Sequence, residues 1–144
     1  MIDGFVVEVI KDYKVTSNYS IDPHYAVDRF AGDITAMEEN DIQSVSFRKT
    51  SSNQATVVTP TSAKPKWAVV ICPPGGEAIV SFYYTDLTEE VRKNHFEQLK
   101  VADKDMLAIS YNMQTRRITD RLNGYFDGIQ YWPEEDEDKQ ESMD

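Results

Sequence analysis

The residue pair with the most chemical potential in this chain is Cys72 with His95. A thiolate is a strong nucleophile, and a neighbouring imidazole lowers its pKa, so together they would suit covalent catalysis. Their surroundings point elsewhere. Cys72 follows Val69, Val70 and Ile71, where cysteine behaves as a small buried hydrophobe. His95 falls on an apolar seam with Leu87, Val91 and Leu99, four residues apart. No third, orienting residue stands out. Asp22 and His24 are close in sequence, but two residues do not make a metal site. Asp22-Pro23 reads better as a helix start, with Asp as cap and Pro in the first turn. Pro73-Pro74-Gly75-Gly76 lacks the Lys-Ser/Thr ending of a phosphate-binding loop and leads into a strand, so it reads as a hairpin turn. The expectation is therefore no catalytic residue, no metal, no cofactor and no enzyme.

A different chemistry is suggested by the middle of the chain. Arg48, Lys49, Lys64 and Lys66 lie among Phe47, Trp67, Phe82, Tyr83 and Tyr84. Single-stranded nucleic acid is held by such mixtures, with cations tracking phosphates and aromatic faces stacking bases. Phe47 and Phe82 share strand faces with Val45 and Val80 and suit a core. Trp67 and Tyr83 are the better stacking candidates. Arg116 and Arg117, with Arg121, form a second basic cluster that could extend the same surface. The competing reading makes the aromatics core and the lysines plain solvated charges.

Charge is distributed unevenly along the 144 residues, which carry a net charge of -10. Residues 1–41 hold -6, residues 42–85 hold +3, residues 86–133 hold -1, and residues 134–144 hold -6. The last segment contains Glu134, Glu135, Asp136, Glu137 and Asp138 in one run. It reads as an acidic, flexible tail on a body spanning 1–133. Such a tail can compete with nucleic acid for a basic groove or dock on a basic partner, and salt screens both. A β-rich body followed by an acidic tail is similar in outline to the single-stranded-DNA-binding proteins of bacteria and phages. No motif aligns, and this chain ends Ser142-Met143-Asp144, without the terminal hydrophobic residue many such tails carry.

The elements that must position these residues are read from periodicity and turn chemistry. Phe5 to Val15 reads as a first strand, followed by a loop at Asn18 to Asp22 and a short helix broken at Gly32-Asp33. Ile42 to Lys49 and Ala55 to Thr59 read as one hairpin. Trp67 to Cys72 and Ala78 to Tyr84 read as another. Asp86-Leu87-Thr88-Glu89 has capping-box spacing and opens a helix to about Lys100. Met106 to Tyr111 and Tyr125 to Trp132 read as strands, and residues 113–122 fit either type. No internal repeat is visible. The expected fold is α+β: a small antiparallel sheet or partly open barrel of 5–7 strands, one well-defined helix at about 86–100, and a short N-terminal helix.

No apolar run approaches the ~20 residues that span a bilayer. The N-terminal residues lack the basic region of a secretory signal, and one cysteine excludes an internal disulfide framework. These features point to the cytoplasm, or a host cytoplasm for a viral gene, and to no membrane partner. The leading expectation is a non-catalytic single-stranded nucleic-acid-binding protein with a regulatory or partner-docking tail. The alternatives are an acidic protein-binding inhibitor or adaptor, of the immunity or phage anti-host type, and a structural component of a viral assembly.

Overall fold

The computed structural model describes residues 3–123. The reading of Tyr125 to Trp132 as a strand, and the acidic residues Glu134 to Asp138, lie outside the described residues.

Among the described residues, eight strands and two helices follow in the order β1 (Phe5–Lys11), β2 (Lys14–Ser20), α1 (Pro23–Thr35), β3 (Ser44–Lys49), β4 (Thr56–Val58), β5 (Trp67–Cys72), β6 (Ile79–Tyr83), α2 (Glu89–Ala102), β7 (Leu107–Asn112) and β8 (Arg117–Leu122). They form two antiparallel sheets, ordered β2-β1-β3-β4 and β6-β5-β7-β8. The α+β class is as the sequence suggests, but the single sheet or barrel of 5–7 strands is replaced by two open four-stranded sheets. Each half of the chain runs strand, strand, helix, strand, strand, and each sheet places its first and third strands at the centre. The topology therefore repeats where the sequence shows no repeat, because the same layout needs only matching turns and apolar faces, not matching residues.

Local chemistry explains most element boundaries. The stretch Phe5 to Val15 is not one strand. Asp12 and Tyr13 take φ of 53° and 62°, the paired left-handed conformation of a two-residue hairpin turn whose twist matches the flanking strands. The chain folds back there, and β2 takes up residues read from sequence as loop. At α1, the Asp22 side chain accepts the His24 N–H at 3.0 Å, with Pro23 in the first turn. The helix runs through Gly32-Asp33 because its apolar face, Val27, Phe30 and Ala31, is buried before that point. In the β5–β6 connection the Gly76 N–H bonds Pro73 O at 3.1 Å, with Gly75 at φ 69°. Pro followed by a left-handed Gly is the signature of a type II turn. For α2 the cap is Thr88, which accepts the Val91 N–H at 3.3 Å, and not Asp86. Asp86 is drawn away to accept the Trp67 indole N–H at 3.0 Å. The ambiguous stretch 113–122 resolves into a turn and β8, fixed when Asn112 Oδ1 accepts the Gln114 and Thr115 N–H groups.

Strand alternation sorts the core into layers. Phe5, Val7, Val45 and Phe47 of the first sheet face α1, and so do Ala68, Val70, Ile109 and Tyr111 of the second. Helix α1 is thus sandwiched between the sheets, which also meet directly where Phe47 and Phe82 cross edge-to-face at 5.0 Å. Phe30 of α1 joins both rings, at 5.4 Å from Phe47 and 5.2 Å from Phe82. The second sheet's other face, with Val69, Ala108 and Leu122, packs on Phe96 of α2. The layers run sheet, helix, sheet, helix. The first sheet's outer face carries Val6, Glu8, Ile10, Val15, Ser17, Tyr19, Ser44, Ser46 and Arg48 by register, with no helix over it among the described residues.

Candidate functional site

A cleft lies where the linker between the two halves crosses α1 and meets the β7–β8 turn. It encloses about 530 Å³. Ala31, Ile34 and Met37 form its apolar floor, and Met113 and Pro65 its wall. Lys64, Lys66, Glu38, Ser62 and Gln114 supply the polar lining. Lys66 is positioned by its backbone: its N–H bonds Tyr83 O at 2.8 Å, and its carbonyl accepts the Met113 N–H at 2.9 Å. This clamps it as an extension of β5, with alternation directing its side chain opposite to Trp67. Lys64 bends back towards the linker, with Nζ at 3.3 Å from Pro60 O and 3.5 Å from Ser62 O. The Lys66 ammonium makes no ion pair or hydrogen bond among the described residues and is exposed.

The eight residues singled out as a nucleic-acid surface do not converge. Lys64 and Lys66 line the cleft, and Arg116 and Arg117 sit on the adjoining β7–β8 hairpin. Arg48 and Lys49 are at the other end. Lys49 bonds Glu77 at 2.9 Å and lies 3.8 Å from Asp3, beside the β5–β6 turn. The six residues of β5 separate the two groups by roughly 20 Å. Trp67 is no open stacking platform. It is 5% exposed, its N–H is bound by Asp86, and the Arg92 guanidinium lies 4.7 Å from its ring centroid. Tyr83, paired with Trp67 across the strands, packs half-buried towards α2. Sequence spacing put these aromatics beside the lysines, but alternation sends them to the opposite face of the sheet. The same alternation separates Cys72, on the α1 face, from His95, which lines a small cavity under α2.

Arg116 is drawn into a polar cluster on α1. Its guanidinium grips the Asp28 carboxylate with both arms, Nε to Oδ1 at 3.0 Å and Nη2 to Oδ2 at 2.8 Å. The Tyr111 hydroxyl donates to the same carboxylate. Gly32 makes this possible, since a Cβ there would stand 3.1 Å from the guanidinium carbon. Burial and the Asp28 charge push the Tyr111 phenol well above its ordinary range, and the bond to Asp28 raises Arg116 further. His24 lies edge-on to Tyr111 at 5.4 Å between centroids. Burial pushes its pKa down to about 3, against the Asp28 charge that favours protonation and in concert with Arg121. Nearby, burial raises Asp33 despite Arg29 at 3.5 Å. Nothing in the sequence flagged this cluster, because Asp28, Tyr111 and Arg116 are joined only by the fold.

A second network ties α2 to its sheet. Arg92 Nε bonds Asp120 Oδ2 at 2.6 Å, and Nη1 bonds Leu87 O at 2.5 Å. Ser110, fully buried, shares Asp120 with Thr119. Burial works against the charged form of Asp120, but bonds from Ser110, Arg92 and Thr119 outweigh it and hold the carboxyl below its usual value. These bonds are internal and saturating, which marks an anchor.

No group of three or more His, Cys, Asp or Glu residues placed to hold a metal ion occurs among the described residues, and no described helix is long and apolar enough to cross a membrane. No family model, no curated protein and no solved structure matches the chain.

Proposed function

We propose that this chain is a non-catalytic binding protein that takes an anionic, extended ligand, single-stranded nucleic acid in the leading case, at the cleft between α1, the linker and the β7–β8 turn. The observation that carries this reading is the pair Lys64 and Lys66 on the rim of that cleft, with Lys66 left uncompensated among the described residues. Phosphates would lie along the two ammonium groups and Arg117. Bases would meet Met37, Met113 and Ile34, which are apolar and, in the methionines, adaptable. This is a weaker base contact than aromatic stacking, so affinity would be modest and salt-dependent. The acidic residues Glu134 to Asp138 would compete for the same cations. Fluorescence anisotropy of a labelled single-stranded oligonucleotide tests the reading at two salt concentrations. Residues 1–133 should bind more tightly than 1–144, and Lys66→Glu should lose binding in both. Absence of binding by either form at low salt ends the proposal.

The outer face of the first sheet favours a second reading, an inhibitor or adaptor that binds protein. Val15, Tyr19 and Val57 are 60%, 48% and 52% exposed there, which is unusual for apolar residues sharing a sheet face. The acidic residues of the N-terminal third, which such a reading would turn towards a basic partner, are divided. Asp28 and Asp33 are engaged by Arg116 and Arg29, whereas Glu38, Glu39 and Asp41 are exposed after α1. An affinity capture from the native host that returns no partner for the full chain would remove this reading.

A further inference from the structure

We propose that Arg116, with Asp28 and Tyr111, is a positioning element for the cleft: its clamp on α1 holds the β7–β8 turn in place as the wall against which a ligand binds. The inference rests on the cleft reading above and adds how the shape of that site is kept. Met113 supplies the wall, with Gln114 beside it, and Ala31, Ile34 and Met37 supply the floor. Wall and floor come from elements far apart in the chain, so their spacing depends on what ties the turn down. One tie is to the sheet, where the Met113 N–H bonds Lys66 O at 2.9 Å. Another is to the helix. The Arg116 guanidinium holds Asp28 through Nε and Nη2, and the Tyr111 hydroxyl, just before the turn, donates to the same carboxylate.

Two local rules give way at this contact. Arg116 takes φ of 59°, a left-handed conformation that is uncommon outside glycine, with Asn, Asp and His the usual exceptions. That conformation closes the turn, where the Arg116 N–H bonds Asn112 O at 2.8 Å, and glycine would adopt it at lower cost. Gly32 lies within α1, where alanine would favour the helix, but a Cβ there would stand 3.1 Å from the guanidinium carbon. Arginine thus stands where the turn favours glycine, and glycine where the helix favours alanine, and both choices serve one contact. Strain of this kind persists where the surrounding structure over-determines it, and it gathers at functional sites. The geometry also sets Arg116 apart from the cations that would meet phosphate. Its Nε–Nη2 edge, a fork suited to phosphate as well as carboxylate, is committed to Asp28, whereas Lys64 and Lys66 line the cleft itself. Arg116 therefore acts on a ligand through the turn and not through its charge.

The test uses the full chain and two variants, Asp28→Ala and Arg116→Gly. The second removes the clamp while relieving the turn, so it keeps the test open if Asp28→Ala does not fold. In the free protein, hydrogen exchange at the Met113 amide should quicken in both variants while the amides of β5 keep their rates. Exchange that quickens throughout marks a contact that only stabilises the fold and overturns the proposal, as does an unchanged Met113 amide. With the labelled single-stranded oligonucleotide, both variants should bind several-fold more weakly. Asp28→Ala is the sharper case, because it takes a negative charge away from the neighbourhood of a site for an anion. An electrostatic role predicts tighter binding, and a positioning role predicts weaker binding. Salt draws the same distinction for Arg116→Gly. A lost phosphate contact flattens the slope of log affinity against log salt by about 0.7 on a single strand, whereas a lost positioning contact leaves the slope unchanged. Asp28→Ala binding as tightly as the wild type or tighter, or a flattened slope in Arg116→Gly, overturns the proposal. A wild-type chain that binds no oligonucleotide ends the nucleic-acid reading instead, and the exchange comparison then decides by itself whether the clamp holds the wall.

Discussion

The two halves of this chain share a topology but not a way of burying their helices. Helix α1 has a sheet on either side and buries Pro23, His24, Ala26, Val27, Phe30 and Ala31. Helix α2 has one sheet and buries Phe96 alone, over a cavity of about 240 Å³. The first helix is held by apolar area and an aromatic cluster. The second depends on a polar anchor, Arg92 on Asp120, Leu87 O and the Trp67 ring. The same arrangement of elements thus yields a rigid centre and a loosely attached outer layer. What differs is how many apolar faces each helix has to cover.

The largest test of this contrast is Phe30→Ala. It removes the ring that bridges both sheets and should cost about 3–5 kcal/mol in denaturant unfolding. Phe96→Ala, at the edge of a void that already exists, should cost clearly less. Equal losses would break the contrast. Next is acid. His24 is held neutral in the folded chain down to about pH 3, whereas the unfolded chain takes up its proton near 6.5. Stability should therefore be full above about pH 6.5 and fall as pH drops towards 3, by up to about 1.4 kcal/mol per pH unit from this group. His24→Gln should flatten that slope above pH 4, where Asp120 does not yet contribute. A slope unchanged in His24→Gln would locate the sensitivity elsewhere. A smaller effect is expected for Arg92→Ala, about 1–3 kcal/mol from stranding Asp120. Its sharper signature is hydrogen exchange: α2 amides should speed up while α1 amides do not. The smallest stability effect belongs to Lys66→Glu, within about 0.5 kcal/mol as for other surface changes. It should act on ligand binding alone.

Much of the fold was legible in local signals. The residues Trp67 to Cys72 were bounded correctly because an apolar run ends at Pro73-Pro74, and α1 began at Asp22-Pro23 because cap and proline act within one turn. The failures have physical causes as well. The Asp12-Tyr13 turn lacks the Asn-Gly or Asp-Gly pair that advertises a two-residue hairpin, so two strands were read as one. The α2 cap was misplaced by two residues because Asp86 has a tertiary partner, Trp67, that no local pattern reveals. The candidate site was legible only in part. Lys64 and Lys66 do share a cleft, while Trp67 and Tyr83, next to them in sequence, were sent across the sheet by the period of two.

By itself the sequence determined the class of the fold, most of its elements and the uneven placement of charge, since these follow from propensity, periodicity and composition acting over a few residues. Only the tertiary structure decided that the strands divide into two sheets with one helix between them. It alone brought Asp28, Tyr111 and Arg116 together and used Arg92 to close over Trp67. Each of those outcomes depends on pairing and packing between residues far apart in the chain, where geometry and burial, not local preference, set the energy.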